Sequence, residues 1–342
     1  MKVLVPEESR RLFAESAKPG LIPVFYDFRD LSLVRRVGRK LGFSSPVSQL
    51  AMCLRPESAD LQDVSAWWFG ASAHLPEPLT DLALSRMPSL RWTYVQRKGT
   101  EHMALGAFEK RSIMVSNAGN LSSRSVAEMI VTAIASHLKQ LPRHYDLQKR
   151  ARWSALTVRA FDDVTVGIIG GLGDIGTETA RICRALGMTV TGTSRNWERV
   201  GKETGPYSRI LHTFDHLPEL LGSVDAVVLL VPLTSETQGF FGPEQLQRMK
   251  AGAALFNFGR AGLVQERAIF SALDSGGLSA YYTDFLADRA LPSRIRAART
   301  RGLVLTHNSS ANSVRKLGAA FDQFMEGLNV LHDPARIPNR VI

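Results

Sequence analysis

Apolar residues in the first third of the chain come in short runs: KVLV (2–5), IPVFYDF (22–28), SAWWFG (65–70), RWTYVQ (91–96) and SIMVS (112–116). Segments of helix-compatible composition separate them. That alternation is the rhythm of a parallel α/β layer, and it predicts one small α/β domain over roughly residues 1–117. In SSRSVAEMIVTAIASHLKQLP (122–142), Val126, Met129, Ile130, Ala133, Ile134, Leu138 and Leu141 recur at helical spacing. Ser122 or Ser123 is placed to cap this helix and Pro142 to stop it.

From Val164 the pattern restarts. VTVGIIG reads as a buried strand, GLGDIG as a glycine-rich turn, and DIGTETARICRALG as a helix with Ile175, Thr179, Ile182, Cys183 and Leu186 on one face. MTVTGTS is the next strand, followed by DAVVLLVPL, AALFNFG, LSAYYTDF and GLVLTH. This second series predicts a complete doubly wound domain.

Composition narrows the class of protein. The chain has 342 residues, 44% hydrophobic and 22% charged, enough for two domains with full cores. Cys53 and Cys183 are the two cysteines, which gives neither a disulfide framework nor a metal-ligand spacing, so no metal is expected. The opening MKVLVPEESRRLF lacks a signal-peptide core, and no run reaches membrane-span length. A soluble, cytoplasmic protein with no membrane partner is the expectation. The net charge of +10 raises nucleic acid as a partner, but the basic residues are scattered and no recognition motif accompanies them, so none is expected. The densest stretch, RALPSRIRAARTRG (289–302), holds five arginines, read as a solvated surface or as attraction for an acidic substrate.

Gly171-Leu172-Gly173-Asp174-Ile175-Gly176 matches G-x-G-x-x-G, with a strand before it, a helix opening on it and a strand after it. Glycines there permit the tight turn, the approach of a pyrophosphate and the packing of helix on strand, and the helix N-terminus offers N–H groups to phosphate. The end of the next strand reads which dinucleotide fits. In VTGTSRN that place falls on Ser194 and Arg195, so no carboxylate is available there to repel a phosphate and a guanidinium is available to bind one. NADP(H) is therefore predicted over NAD(H).

These ordered motifs, together with VSNAGNLSSRSVAEMIV (115–131) and DAVVLLVPLTSETQGFFGPEQLQRMKAGAALFNFGRAGLV (225–264), resemble the D-isomer-specific 2-hydroxyacid dehydrogenases over nearly the whole chain. The resemblance implies a Rossmann cofactor domain, 118–306, inserted in a flavodoxin-like substrate domain, 1–117 plus 307–342, with the active site in the cleft. It implies a homodimer through the 122–141 helix. It places Pro232, Thr237, Phe258, Gly259 and Asp284 with the cofactor, and it makes Arg97, Lys98, Gly99 and Thr100 the substrate loop. Arg260, in FNFGRAG, falls on the family's catalytic arginine, which clamps the substrate carboxylate and polarises the carbonyl.

The family's acid pair is altered. In DFLADRALP (284–292) the glutamate position is Arg289, with Asp288 beside it. In LTHNSSANS (305–313) a gapless match sets Asn308 on the catalytic histidine, whereas a one-residue deletion sets His307 there. Without His307 the proton would come from water, His102 or Lys98. Arg97, Lys98, Arg260 and Arg289 together point to a substrate with more than one negative charge. Two functions follow: a reductase of a small anionic 2-keto acid with a non-standard proton donor, or a catalytically inactive dinucleotide-binding regulator on the same fold. The retained Arg260, Asp284 and glycine loop favour the enzyme.

Overall fold

A computed structural model of the protein describes residues 1–16, 18–26, 61–70, 77–100, 103–196, 198, 205–286, 300–307, 309–313 and 315–342. The chain divides into two compact units, Met1–Ser122 with Ser313–Ile342, and Ser123–Asn312. These limits lie a few residues beyond the expected 117/118 and 306/307, and hydrogen bonding shows why. The Ala118 amide donates to the Arg97 carbonyl (3.3 Å), which keeps 118 with the first unit. Ser125 Oγ donates to the Ser310 carbonyl (2.8 Å), which keeps 310 with the second.

In the first unit the described strands are β1 (Lys2–Pro6), β2 (Ile22–Tyr26), β3 (Val64–Phe69), β4 (Trp92–Val95) and β5 (Met114–Asn117). The helices between them are α1 (Arg10–Ser16), α2 (Glu77–Ser85) and α3 (Leu105–Glu109). The strands form a parallel sheet in the order β2-β1-β3-β4-β5. Both faces are covered, which is why the strands read as unbroken apolar runs. Leu4, Trp67 and Phe69 pack with Leu84 and Phe108 on one face, while Val3, Val5, Trp68 and Trp92 pack with Phe321 and Phe324 on the other. The last two come from the C-terminal helix Lys316–Asn329, so the end of the chain completes the core of its beginning. The Trp92 ring stacks on Phe324 at 5.2 Å between centroids. Its indole N–H donates to Ser116 Oγ (2.9 Å), which satisfies a buried donor.

The second unit opens with α4 (Ser123–Leu138) and α5 (Leu141–Lys149). Here the sequence expectation is corrected. Helix α4 ends at Leu138, Gln140 takes a left-handed φ of 51°, and Pro142 lies in the first turn of α5. Proline lacks the N–H that a first turn leaves unused, so it starts the second helix instead of stopping the first. Leu141 belongs to that new helix and is exposed.

Then follow β6 (Thr165–Ile169), α6 (Asp174–Ala185), β7 (Thr189–Ser194), β8 (Arg209–His212), α7 (Leu217–Ser223), β9 (Ala226–Leu229), α8 (Pro243–Arg248), β10 (Ala254–Asn257), α9 (Glu266–Ser275), β11 (Ala280–Thr283) and β12 (Leu303–Leu305). The sheet is parallel, in the order β12-β11-β10-β9-β6-β7-β8. Val166, Ile168 and Val228 pack toward Ile130 and Ile134 of α4 and Cys183 of α6, and Ile169, Val227 and Leu229 pack toward Leu220, Ile269 and Phe270 on the other face. The inward face of α6 is Gly176, Glu178, Thr179, Ala180 and Cys183; Leu186 lies past the helix end and is exposed. Glu178 is buried because it ion-pairs with Arg124 of α4 and with Arg181. Among the described residues no helix is long and apolar enough to cross a membrane.

Candidate active site

Strand order reverses between β9 and β7 around β6, which makes the carboxyl end of β6 the switch point where α/β sheets bind ligands. The glycine loop stands there. A Cβ at Gly176 would overlap the Gly171 backbone, so helix α6 can approach β6 only with glycine at that position. Gly173, the N-cap of α6, is different. An added Cβ would come no closer than 3.6 Å to any described atom, so the chain's own packing does not call for glycine there. A solvent-exposed N-cap that has no side chain to cap the first N–H groups is what a pyrophosphate requires. The residues present therefore fit a dinucleotide. Asp174 and Ile175 form the first turn of α6, with Asp174 exposed.

One buried tyrosine braces this loop, and sequence reasoning missed it. Tyr207 Oη donates to the Gly171 carbonyl, and its ring lies where a Cβ at Gly192 would come within 2.8 Å. Tyr207 is far from the motif in sequence, so no local signal marked it. Burial raises its phenol above the usual range, which keeps it a neutral donor.

At the end of β7, Ser194 Oγ accepts from the Asn196 amide (3.1 Å), and His212 Nε2 donates to the Arg195 carbonyl (3.2 Å). Arg195 Nη1 lies 3.2 Å from Glu236 Oε2. This corrects the expectation that no carboxylate is available at this place. The acid comes from the turn after β9, 41 residues away, and only the fold brings it there. That turn is braced from inside: Thr237 Oγ1 donates to the Pro232 carbonyl (2.7 Å) and accepts from the Thr234 amide (2.8 Å). Thr237 is buried and Pro232 exposed.

Strand β10 ends at Asn257, which is fully buried and also absent from the expected site residues. Its side-chain amide donates to the Arg260 carbonyl (3.0 Å) and to Tyr281 Oη (3.3 Å), and its oxygen accepts from the Gly259 amide (3.2 Å). A polar residue closing an otherwise apolar strand was the available signal. Phe258 and Gly259 are buried within the turn so held, and Arg260 is exposed at its tip, one guanidinium N–H donating to the Gly259 carbonyl (3.0 Å). Burial pushes the Tyr281 phenol up to about 12, against hydrogen bonds from Thr283 and Asn257 that lower it.

Asp284, just past β11, is 3% exposed. Its Oδ1 accepts from Thr306 Oγ1 and from the Ser309 amide (3.3 Å), and its Oδ2 accepts from the amide (3.2 Å) and hydroxyl of Ser310. The turn so gathered carries His307, exposed and with a left-handed φ of 53°. Asn308, Asp288, Arg289 and His102, like Cys53, lie outside the described residues.

The substrate-loop residues belong to the first unit. Arg97, Gly99 and Thr100 are half-buried and Lys98 exposed. Asn117 Nδ2 donates to the Lys98 carbonyl (2.9 Å), and the Met103 amide to that of Thr100 (2.9 Å). Lys316, at the start of the C-terminal helix, was not foreseen. Burial and the nearby Arg97 hold its ammonium below the usual lysine range, while Glu8 acts in the opposite sense.

Comparison with known proteins agrees with this geometry. Residues 131–309, more than half of the chain, match the model of "D-isomer specific 2-hydroxyacid dehydrogenase, NAD binding domain". A D-3-phosphoglycerate dehydrogenase of Methanocaldococcus jannaschii is 31% identical over 188 residues, 54% of this chain, and the chain spans only 35% of that protein's length. A glyoxylate/hydroxypyruvate reductase of Arabidopsis thaliana is 28% identical over 295 residues, 82% of this chain and 85% of that one. Among solved structures, the NADPH-dependent glyoxylate/hydroxypyruvate reductase of Sinorhizobium meliloti, in complex with NADP and sulfate, superposes with a TM-score of 0.75 at 22% identity, over 99% of this chain and 98% of that one, a likeness of fold. With the glycine loop at the switch point and the family match running across it, the chain belongs to the D-isomer specific 2-hydroxyacid dehydrogenase family.

Proposed function

We propose that this chain is an NADP(H)-dependent oxidoreductase acting between a 2-keto acid and its 2-hydroxy acid. The observation that carries the reading is Arg260, a cation at the carboxyl end of β10 whose backbone is held by buried Asn257, in the same unit as a glycine loop that fits a dinucleotide. A bound nicotinamide supplies the hydride chemistry. The Arg260 guanidinium would hold the substrate carboxylate through paired N–H bonds and stabilise the negative charge that grows on the carbonyl oxygen. His307 offers an imidazole nitrogen to deliver a proton to that oxygen, whereas Asn308 would give a hydrogen bond only.

Residues Met1–Ser122 with Ser313–Ile342 are the proposed substrate domain, with Arg97 to Thr100 as its carboxylate-binding loop, and Ser123–Asn312 the proposed cofactor domain. Pro232, Thr237, Phe258, Gly259 and Asp284 shape the proposed cofactor site. A substrate with more than one negative charge is supported by Lys98 and by Arg289 in place of the family's glutamate. NADP(H) over NAD(H) is supported by Arg195 at the end of β7. A homodimer is supported by Leu141, Tyr145, Trp153 and Val158, large apolar side chains exposed on and after α5. Light scattering should give twice the chain mass, and a monomer at micromolar concentration would remove that part of the reading.

The deciding experiment follows NADPH oxidation over a panel of singly and multiply charged 2-keto acids, with neutral ketones as controls. Arg260→Ala is expected to lower kcat/KM by about 10²–10³-fold with NADPH binding unchanged, and His307→Ala to lower kcat if His307 is the acid. Tight NADPH binding without turnover of any acid would favour the inactive regulator.

A further inference from the structure

We propose that Glu236 is a specificity-determining residue whose carboxylate competes with the 2′-phosphate of NADP(H) for the Arg195 guanidinium, so that the preference between the two dinucleotides is set by this pair. The inference rests on the reading of Arg195 as the 2′-phosphate ligand.

The placement is topological before it is chemical. Strands β7 and β9 flank β6 on either side, so the segments that leave their carboxyl ends border the glycine loop from both directions. Arg195 leaves β7, Glu236 stands on the turn that follows β9, and their side chains meet at 3.2 Å. In dinucleotide folds this edge is where a carboxylate receives the ribose 2′-OH or an arginine receives the 2′-phosphate. This chain supplies one of each, from different strands.

Both ends of the pair are anchored at the backbone. His212 Nε2 bonds the Arg195 carbonyl (3.2 Å), and the two threonines brace the Glu236 turn, with Thr237 Oγ1 on the Pro232 carbonyl (2.7 Å). Both side chains are more than half exposed. An exposed ion pair of this kind contributes little to folding, so a ligand can exchange it. NADP(H) brings a phosphate of about two negative charges at neutral pH, which must take the guanidinium from Glu236 and then sit beside the displaced carboxylate. NAD(H) leaves the pair intact, and its 2′-OH can donate to the same carboxylate. Glu236 thus weakens NADP(H) selectively.

The test is a double-mutant cycle on the whole protein, reading the dissociation constants of NADPH and NADH by nicotinamide fluorescence in wild type, Glu236→Gln, Arg195→Gln and the double variant. Removing Glu236 is expected to tighten NADPH up to about fivefold, the scale of an exposed ion pair that the phosphate no longer has to break, and to change NADH by less than about twofold. In the Arg195→Gln background the same substitution should tighten NADPH markedly less, since no guanidinium is left to contest. Unchanged or weakened NADPH binding in Glu236→Gln, with Arg195→Gln still weakening NADPH, would overturn the competition and leave the NADP(H) reading standing. If Arg195→Gln leaves NADPH binding unaltered, the NADP(H) reading itself fails. Glu236→Ala serves as a second variant, with melting curves confirming that each protein is folded.

Discussion

The carboxylate of Asp284 accepts from both the amide and the hydroxyl of Ser310, the amide at 3.2 Å, and through this one residue the turn carrying His307 is tied to the end of β11. A left-handed residue that is not glycine costs about 1–2 kcal/mol, and His307 is one. The clamp on either side of it holds that conformation in place.

Asp284→Ala would leave the amide and hydroxyl of buried Ser310 without their acceptor, while the half-buried Thr306 hydroxyl keeps the Thr283 carbonyl and the exposed Ser309 amide keeps the Thr306 carbonyl. We expect a loss of about 2–3 kcal/mol, or roughly 5–10 °C in Tm. Asp284→Asn keeps one acceptor oxygen and should lose less. Calorimetry on both variants checks this, and equal melting temperatures for wild type and the alanine variant would contradict it.

Two alanine substitutions in the glycine loop should separate folding from binding. Gly176→Ala forces a methyl against the Gly171 backbone and should lower Tm and dinucleotide affinity together. Gly173→Ala meets only ordinary van der Waals distances in the chain itself, so its Tm should stay within about 2 °C while dinucleotide affinity falls at least about tenfold. Dissociation constants and melting curves on the same samples test the contrast.

Asp225 joins the starts of two neighbouring strands. Its Oδ2 accepts from the Thr165 amide (2.9 Å), and its Oδ1 meets Lys250 Nζ (2.7 Å) and Arg159 Nη1 (3.2 Å). Burial pushes its carboxyl up, but these partners outweigh burial and hold it below the usual range. A carboxylate depressed in the folded state stabilises above the unfolded-state value of about 3.9 and loses that contribution as pH falls below it. Asp225→Asn should therefore unfold at lower urea than wild type at pH 7, and the two should converge as pH falls from about 4 to 3.

Cys183 is wholly buried on α6, and burial pushes its thiol up to about 12. Peptide mapping after iodoacetamide at pH 8 should find Cys183 unmodified in the native protein and alkylated in denaturant. Native alkylation at Cys183 would show that α6 detaches from the sheet.

Much of this was legible from local pattern. A strand buried on both faces needs a continuous apolar run, and the approach of helix to strand at the phosphate loop needs glycine at 176, so VGIIGGLGDIG announced its own structure. The ordered motifs around Arg260 put it just past the end of a strand, and it stands three residues beyond β10. Asn257, three residues before it, was passed over: the one local signal, a polar residue closing an apolar strand, does not say that its side chain bonds the Arg260 and Gly259 backbone.

The sequence by itself determined the two series of parallel strands, the glycine loop and the family, because these rest on interactions between residues close along the chain; it passed over β8, whose run RILH (209–212) is short. Only the tertiary structure decided that Pro142 opens a helix, that Tyr207 supports Gly171, that Asp284 gathers the 306–310 turn, and that Glu236 faces Arg195. Apart from Pro142, each of those pairs polar groups more than twenty residues apart. Such groups meet because strands from distant parts of the chain are aligned side by side in one sheet, and the linear pattern carries no distance of that kind.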